Sequence, residues 1–158
     1  MSLKVDIVFT LNGAAVRASI SAGASALAVL REQFDLAGAK LACGEGECGA
    51  CTIIVDGLSL NGCLMPAVDL DGRRVETVEG LWRETGLDPV QRAFIEAGAI
   101  QCGFCTPGMV MQARHLIDRN PRASEAEIRR GLEGNICRCT GYRKIVDAII
   151  AASRAARP

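Results

Sequence analysis

Cys43-Gly44-Glu45-Gly46-Glu47-Cys48-Gly49-Ala50-Cys51 reads C-x4-C-x2-C, and a fourth thiol, Cys63, follows after eleven residues. This is the plant-type spacing for a [2Fe–2S] cluster. A cluster bound by four thiolates is a net anion, and burying it costs free energy unless donors point at the sulfurs. Backbone N–H groups do so when a loop wraps closely, and close wrapping needs residues free to take positive φ. Gly44, Gly46 and Gly49 stand between the three loop cysteines, so the loop is expected to fold tightly around its thiols rather than to be an ordinary flexible connection.

The other four cysteines, Cys102, Cys105, Cys137 and Cys139, form a second set, and the eight divide with none left over. Cys102-Gly-Phe-Cys105 lies just before a helix start at Thr106-Pro107, and Cys137-Arg-Cys139 lies in a turn between the last two helices. Thiolates near helix N-termini are favoured by the positive end of the dipole and by free N–H groups. C-x-C spans a mononuclear tetrahedral site less comfortably than C-x2-C, but it can grip one iron of a pair. Three rival readings stay open: an all-thiolate zinc site made by the second set, a redox dithiol at Cys102 and Cys105, and a secreted disulfide framework.

Composition narrows these. The chain has 158 residues, 49% of them apolar, with 18 basic and 18 acidic side chains. It is expected to be globular, and with no basic stripe nucleic acid is not the expected partner. No apolar run approaches the ~18 residues of a membrane helix. The opening Met1-Ser-Leu-Lys-Val-Asp6 carries an acid where a signal peptide needs an apolar core. A cytoplasmic address is expected, with a periplasmic one only if a partner carries the protein there. In that reducing compartment eight cysteines point to metal or redox chemistry rather than disulfides.

Residues 3–10 and 14–20 read as a hairpin turned at Asn12-Gly13. Ser25 caps an expected helix running to about Phe34, with Leu27, Leu30 and Phe34 on one face. Thr52-Ile-Ile-Val55 reads as a short strand ending at a second turn, Asp56-Gly57, and residues 73–78 close the sheet. After Glu79-Gly80 the apolar period changes from 2 to 3.6. Four helix signals follow: Asp88-Pro89, Thr106-Pro107, the capping box Ser124-x-x-Glu127, and a stripe of Tyr142, Ile145, Val146, Ile149 and Ile150. The predicted architecture is α+β, with a small mixed sheet and one helix packed on it over 1–78, a four-helix domain over 79–158, and a linker around 78–86. His115 reads as a structural helix residue. Trp82 and Tyr142 read as packing residues, and Phe104 as a shield between cluster and water. Arg138 is balanced between stabilising cluster charge and projecting into solvent.

The whole chain resembles the small iron–sulfur subunit of the xanthine oxidase family of molybdenum hydroxylases. The resemblance is carried by Cys43–Cys51, Gln101-Cys-Gly-Phe-Cys-Thr-Pro-Gly108 and Asn135-Ile-Cys-Arg-Cys-Thr-Gly-Tyr142, in that order. It implies an N-terminal β-grasp, plant-type ferredoxin-like domain holding one [2Fe–2S] cluster through Cys43, Cys48, Cys51 and Cys63, and a C-terminal four-helix domain holding another through Cys102, Cys105, Cys137 and Cys139. It also implies that the second cluster lies nearer a molybdopterin cofactor, expected in its cytosine dinucleotide form, with Gln101 bonded to the pterin and Cys139 approaching it. That cofactor would sit on a large partner subunit, and FAD usually on a medium one. The chain is then an oxidoreductase subunit that passes electrons and has no substrate pocket of its own. Substrates in the family include N-heterocycles, purines, aldehydes, carbon monoxide and aromatic thioesters. The competing expectation is a free-standing ferredoxin with a zinc-bound helical docking domain. A fragment of a longer single-chain oxidase is a third, against which the Ala-Ala-Arg-Pro158 terminus reads as a natural end.

Overall fold

Period-2 patterning becomes a five-stranded sheet and period-3.6 patterning becomes helices in the computed structural model, which describes residues 3–82 and 86–155. Strands β1 (Lys4–Leu11) and β2 (Ala14–Ser21) form the expected hairpin, with Val5 opposite Ile20 and Phe9 opposite Val16. Asn12 and Gly13 both take positive φ, 50° and 88°, the turn that matches strand twist. Strands β3 (Thr52–Val55) and β4 (Leu58–Asn61) form a second hairpin, again with two positive-φ residues, Asp56 and Gly57. Strand β5 (Arg74–Glu76) runs parallel to β1 and antiparallel to β3, so the sheet order is β2-β1-β5-β3-β4.

Helix α1 (Ala26–Glu32) covers one face of the sheet, as a β-grasp requires. Ser25 caps it by accepting from Ala28 N–H. The helix ends two residues short of the expected Phe34, whose ring instead meets Phe9 edge-on at 5.7 Å. The core under α1 takes Ile7, Phe9 and Leu11 from alternate positions of β1, with Leu27 and Leu30 above them.

The second core is helical. Helices α2 (Pro89–Glu96), α3 (Thr106–Arg119), α4 (Glu125–Gly131) and α5 (Arg143–Ala155) carry the four expected stretches; α2 and α4 begin at the predicted caps, whereas α3 takes in Thr106 and leaves Cys105 at the cap position. Asp88 and Ser124 each close a full capping box, with Gln91 and Glu127 respectively. Arg114 pairs with Asp88 at 3.6 Å and with Asp118, fastening α3 to the start of α2. Tyr142 stands just before α5 and outside it.

Strand β3 joins the two cores. All four of its residues are buried. Ile53 and Val55 enter the sheet-and-α1 core, while Ile54, on the opposite face, enters the helical core. A strand covered on both faces reads as a continuous apolar run, and burying a side chain of this size stabilises by about 1.5–3 kcal/mol. The expected linker at 78–86 falls partly on 83–85, outside the described residues. Its first part, Val78–Leu81, is a 3-10 turn with Leu81 buried in the helical core. Among the described residues no helix is long and apolar enough to cross a membrane.

Candidate metal centres

The loop before β3 wraps as its glycines require. Gly44, Gly46 and Gly49 all take positive φ, 72°, 79° and 64°. The wrapping turns N–H groups inward: Glu45 N–H lies 3.4 Å from Cys43 Sγ. The backbone N–H of Glu45, followed by that of Cys48 and by the Cys48 thiol, lowers the Cys43 pKa to about 6. Asn61 ties the loop to the Cys63 segment by donating to Gly46 O at 2.6 Å. Cys51 is buried, and burial is the main reason its pKa rises to about 11.

The thiols meet in pairs. In the first set Cys43 faces Cys48 and Cys51 faces Cys63. In the second set Cys139 Sγ lies 3.5 Å from Cys102 Sγ, and Cys105 faces Cys137. Cys137 and Cys139, whose spacing would allow them to grip one iron of a pair, thus face different partners. Their side chains diverge across the turn, Cys139 to Cys102 and Cys137 to Cys105, one to each member of C-x2-C. Two pairs of thiols per set suit a two-iron cluster, in which each iron takes two protein thiolates. Among the described residues no three Cys, His, Asp or Glu side chains converge as a single metal ion would need.

The second set has a buried side and an open side. Cys105 caps α3, but burial, followed by its contacts with Cys137, drives its pKa up to about 12. The lowering expected at a helix N-terminus is overridden there. For Cys137 the balance is reversed. Burial pushes its thiol up, but the Thr140 hydroxyl, the backbone N–H groups of Thr140 and Cys139 and the Cys105 thiol together bring it below its ordinary value. Thr140 Oγ1 lies 3.1 Å from Cys137 Sγ. Cys102 and Cys139 are exposed, as is Gln101 beside them. The hydrogen bond between the two thiols is the main cause of the raised Cys139 pKa.

The two loops abut. Ile136 N–H donates to Cys48 O at 2.9 Å, joining the residue before one candidate ligand to another candidate ligand. Asn135, 4% exposed, donates to Gly49 O at 3.0 Å and to Thr52 Oγ1 at 3.1 Å. A side chain on Gly49 would collide with Gly134 O and Asn135, so glycine here serves close approach as well as the turn.

Other residues fall in varied places. His115 is half-buried on α3 and its Nδ1 lies 3.1 Å from Gly57 O, a structural link between the two cores. Tyr142 packs against the helical core as expected. Trp82 does not pack: it is 59% exposed, because the 3-10 turn buries its neighbour Leu81 instead. Phe104, expected to shield, is 46% exposed, and Arg138 is exposed to solvent. Sequence reasoning did not assign Asn135 or Thr140 a role. Their only signal was proximity to Cys137, since the acceptors of Asn135 lie more than 80 residues away.

Two family models match. Residues 9–77 match a 2Fe-2S iron-sulfur cluster binding domain, and residues 77–150 a [2Fe-2S] binding domain. The chain is 44% identical over 143 residues to a probable xanthine dehydrogenase subunit of Bacillus subtilis, covering 90% of this chain and 82% of that protein. It is 43% identical over 146 residues to the nicotinate dehydrogenase small FeS subunit of Eubacterium barkeri, covering 92% and 93%. Among solved structures it superposes on quinoline 2-oxidoreductase from Pseudomonas putida 86 with a TM-score of 0.94, at 42% identity, over 99% of this chain and 98% of that one. With two thiol sets on the expected β-grasp and helical scaffolds, the chain belongs to the small iron–sulfur subunits of the xanthine oxidase family of molybdenum hydroxylases.

Proposed function

We propose that this chain conducts electrons from a molybdopterin centre on a large partner subunit to FAD, or another acceptor, on a further partner, in a cytoplasmic complex. In this reading residues 1–78 and 79–158 are its two domains. Cys43, Cys48, Cys51 and Cys63 hold one [2Fe–2S] cluster, and Cys102, Cys105, Cys137 and Cys139 the other. Each cluster, when bound, accepts and returns a single electron.

The observation that carries the reading is the Ile136 N–H bond to Cys48 O, which sets the two ligand loops in direct contact. The residues around it divide the remaining work. Backbone N–H groups of the first loop point at sulfur and offset its charge. Burial of Cys51 and Cys137, with Cys105 half-buried beside Cys137, keeps water from the inner side of each set. Exposure of Gln101, Cys102 and Cys139 leaves the outer side of the second set open, where Gln101 would bond the pterin and Cys139 approach it.

Chain purified anaerobically should contain about four irons and four inorganic sulfides, from two [2Fe–2S] units. Its reduced form should give two distinct EPR signals. Zinc in place of the second iron pair would defeat the proposal, as would an active lone carrier that never co-purifies with a molybdopterin subunit.

A further inference from the structure

Tyr142 adopts φ 66°, a left-handed conformation that is a genuine outlier for a bulky side chain. Such a conformation persists only where its surroundings over-determine it, and here three hydrogen bonds do so. The phenol oxygen accepts from Cys137 N–H at 2.9 Å, and the phenol hydrogen goes to Asn135 O at 3.0 Å. The Tyr142 N–H donates to Thr140 Oγ1 at 3.2 Å. The Thr140 oxygen is thus occupied as an acceptor, and its one hydrogen faces Cys137 Sγ across 3.1 Å. A ligand thiolate has no hydrogen to give, so in the Thr140–Cys137 contact the hydroxyl is the donor. In the first set the donors to sulfur are backbone N–H groups, with Glu45 N–H directed at Cys43.

We propose that Thr140 tunes the C-terminal cluster by donating its hydroxyl hydrogen to Cys137 Sγ, with Tyr142 as the residue that positions it. This rests on the reading that Cys137 is a ligand of that cluster. Sulfur carries more negative charge after one-electron reduction, so a donor to sulfur favours the reduced state and raises the potential. Hydrogen bonds to charged groups are stronger than neutral ones, and losing this one is expected to shift the one-electron equilibrium about tenfold toward the oxidised form, or ~59 mV. The N-terminal cluster in the same molecule is the internal reference. Removing the hydroxyl therefore changes how a single electron divides between the two clusters.

The test is an EPR-monitored redox titration of the full chain with its clusters, as wild type, Thr140→Val, Thr140→Ala and Thr140→Ser. The expected result is that Val and Ala lower the potential of the C-terminal signal by about tenfold in equilibrium, that Ser restores it, and that the N-terminal signal stays in place in all four. A Val or Ala variant that keeps both signals at wild-type potentials overturns the proposal. Loss of the C-terminal signal in both variants, with Ser intact, also overturns it, because the hydroxyl would then be required for assembly and not for tuning. Fewer than two [2Fe–2S] signals in the wild type would sink the functional reading itself, a result distinct from an unmoved potential in a wild type with two.

Discussion

Replacing Gly108 by alanine should destabilise the chain, although helix propensity alone predicts the opposite. Gly108 is the third residue of α3, and alanine in a helix is worth roughly 0.5–1 kcal/mol over glycine. Here a methyl group would overlap Gly49 O and come within 3.1 Å of the Gly49 carbonyl carbon and 3.2 Å of Ala50 Cα. Ordinary C···O contact is about 3.3 Å, so α3 and the first cysteine loop must part by about 1 Å. Both sides of the collision are backbone, so no rotamer can relieve it. Overpacking of this kind costs about 1–3 kcal/mol, and the upper end less the helix gain leaves about 2 kcal/mol. At about 2–4 °C per kcal/mol for a chain of this size, Tm should fall by about 4–8 °C. Gly131→Ala is the matched control. Its methyl would meet Leu116 Cδ2 at 2.5 Å and Cδ1 at 2.8 Å, the mobile end of a side chain, so its Tm should change little. Calorimetric melting of the two variants beside wild type decides the matter. A Gly108→Ala protein that melts at or above wild type would refute the claim that backbone meets backbone at this seam.

Asn135→Asp should be worse than Asn135→Ala at neutral pH, because it turns two donors into a carboxylate facing Gly49 O and Thr52 Oγ1 at a 4% exposed position. A cost of about 3 kcal/mol is expected at pH 8, partly recovered on acidification as the acid regains one donor; urea midpoints at two pH values check it, and a pH-independent midpoint difference would contradict it. Asp56 is held below its ordinary carboxylate range, first by the N–H of Arg74 and then by the Arg73 side chain. A depressed folded pKa contributes stability above the unfolded value of 3.8 that is lost as pH falls through the folded value. Asp56→Asn should therefore flatten the fall in denaturation midpoint below about pH 4, and an unchanged acid limb would count against the assignment.

Local signals proved most informative where the physics is local. Ser25, Asp88 and Ser124 mark helix starts because their side chains satisfy N–H groups two or three residues ahead. Asn12-Gly13 and Asp56-Gly57 mark hairpins because few residue pairs tolerate consecutive positive φ. The spacing from Cys43 to Cys51 outlined the first thiol set for a similar reason. What escaped is what depends on tertiary neighbours. Nothing near Trp82 says that Leu81, not the indole, will be buried. Nothing before α3 says that burial of Cys105 will outweigh the helix N-terminus. C-x-C also gives no sign that its two thiols part company, since that follows from where Cys102 and Cys105 stand across the turn.

The seam between the cores explains why the second thiol set is followed by Thr-Gly-Tyr and preceded by Asn. Each candidate ligand loop is short of regular structure, so its backbone groups need partners elsewhere. Cys48 O finds Ile136 N–H, Gly49 O finds Asn135 and Thr52, and Cys137 N–H finds the Tyr142 phenol. A partner of Cys48 O and one of Gly49 O thus come from the second loop, and that of Cys137 N–H from the turn that starts α5. Ile54 then pins the same seam from the sheet side. An insertion in either loop would leave several of these groups unpaired at once, at about 1–3 kcal/mol for each buried one. Hydrogen-bond demand alone, before any requirement for electron flow, is enough to hold the two loops in one register.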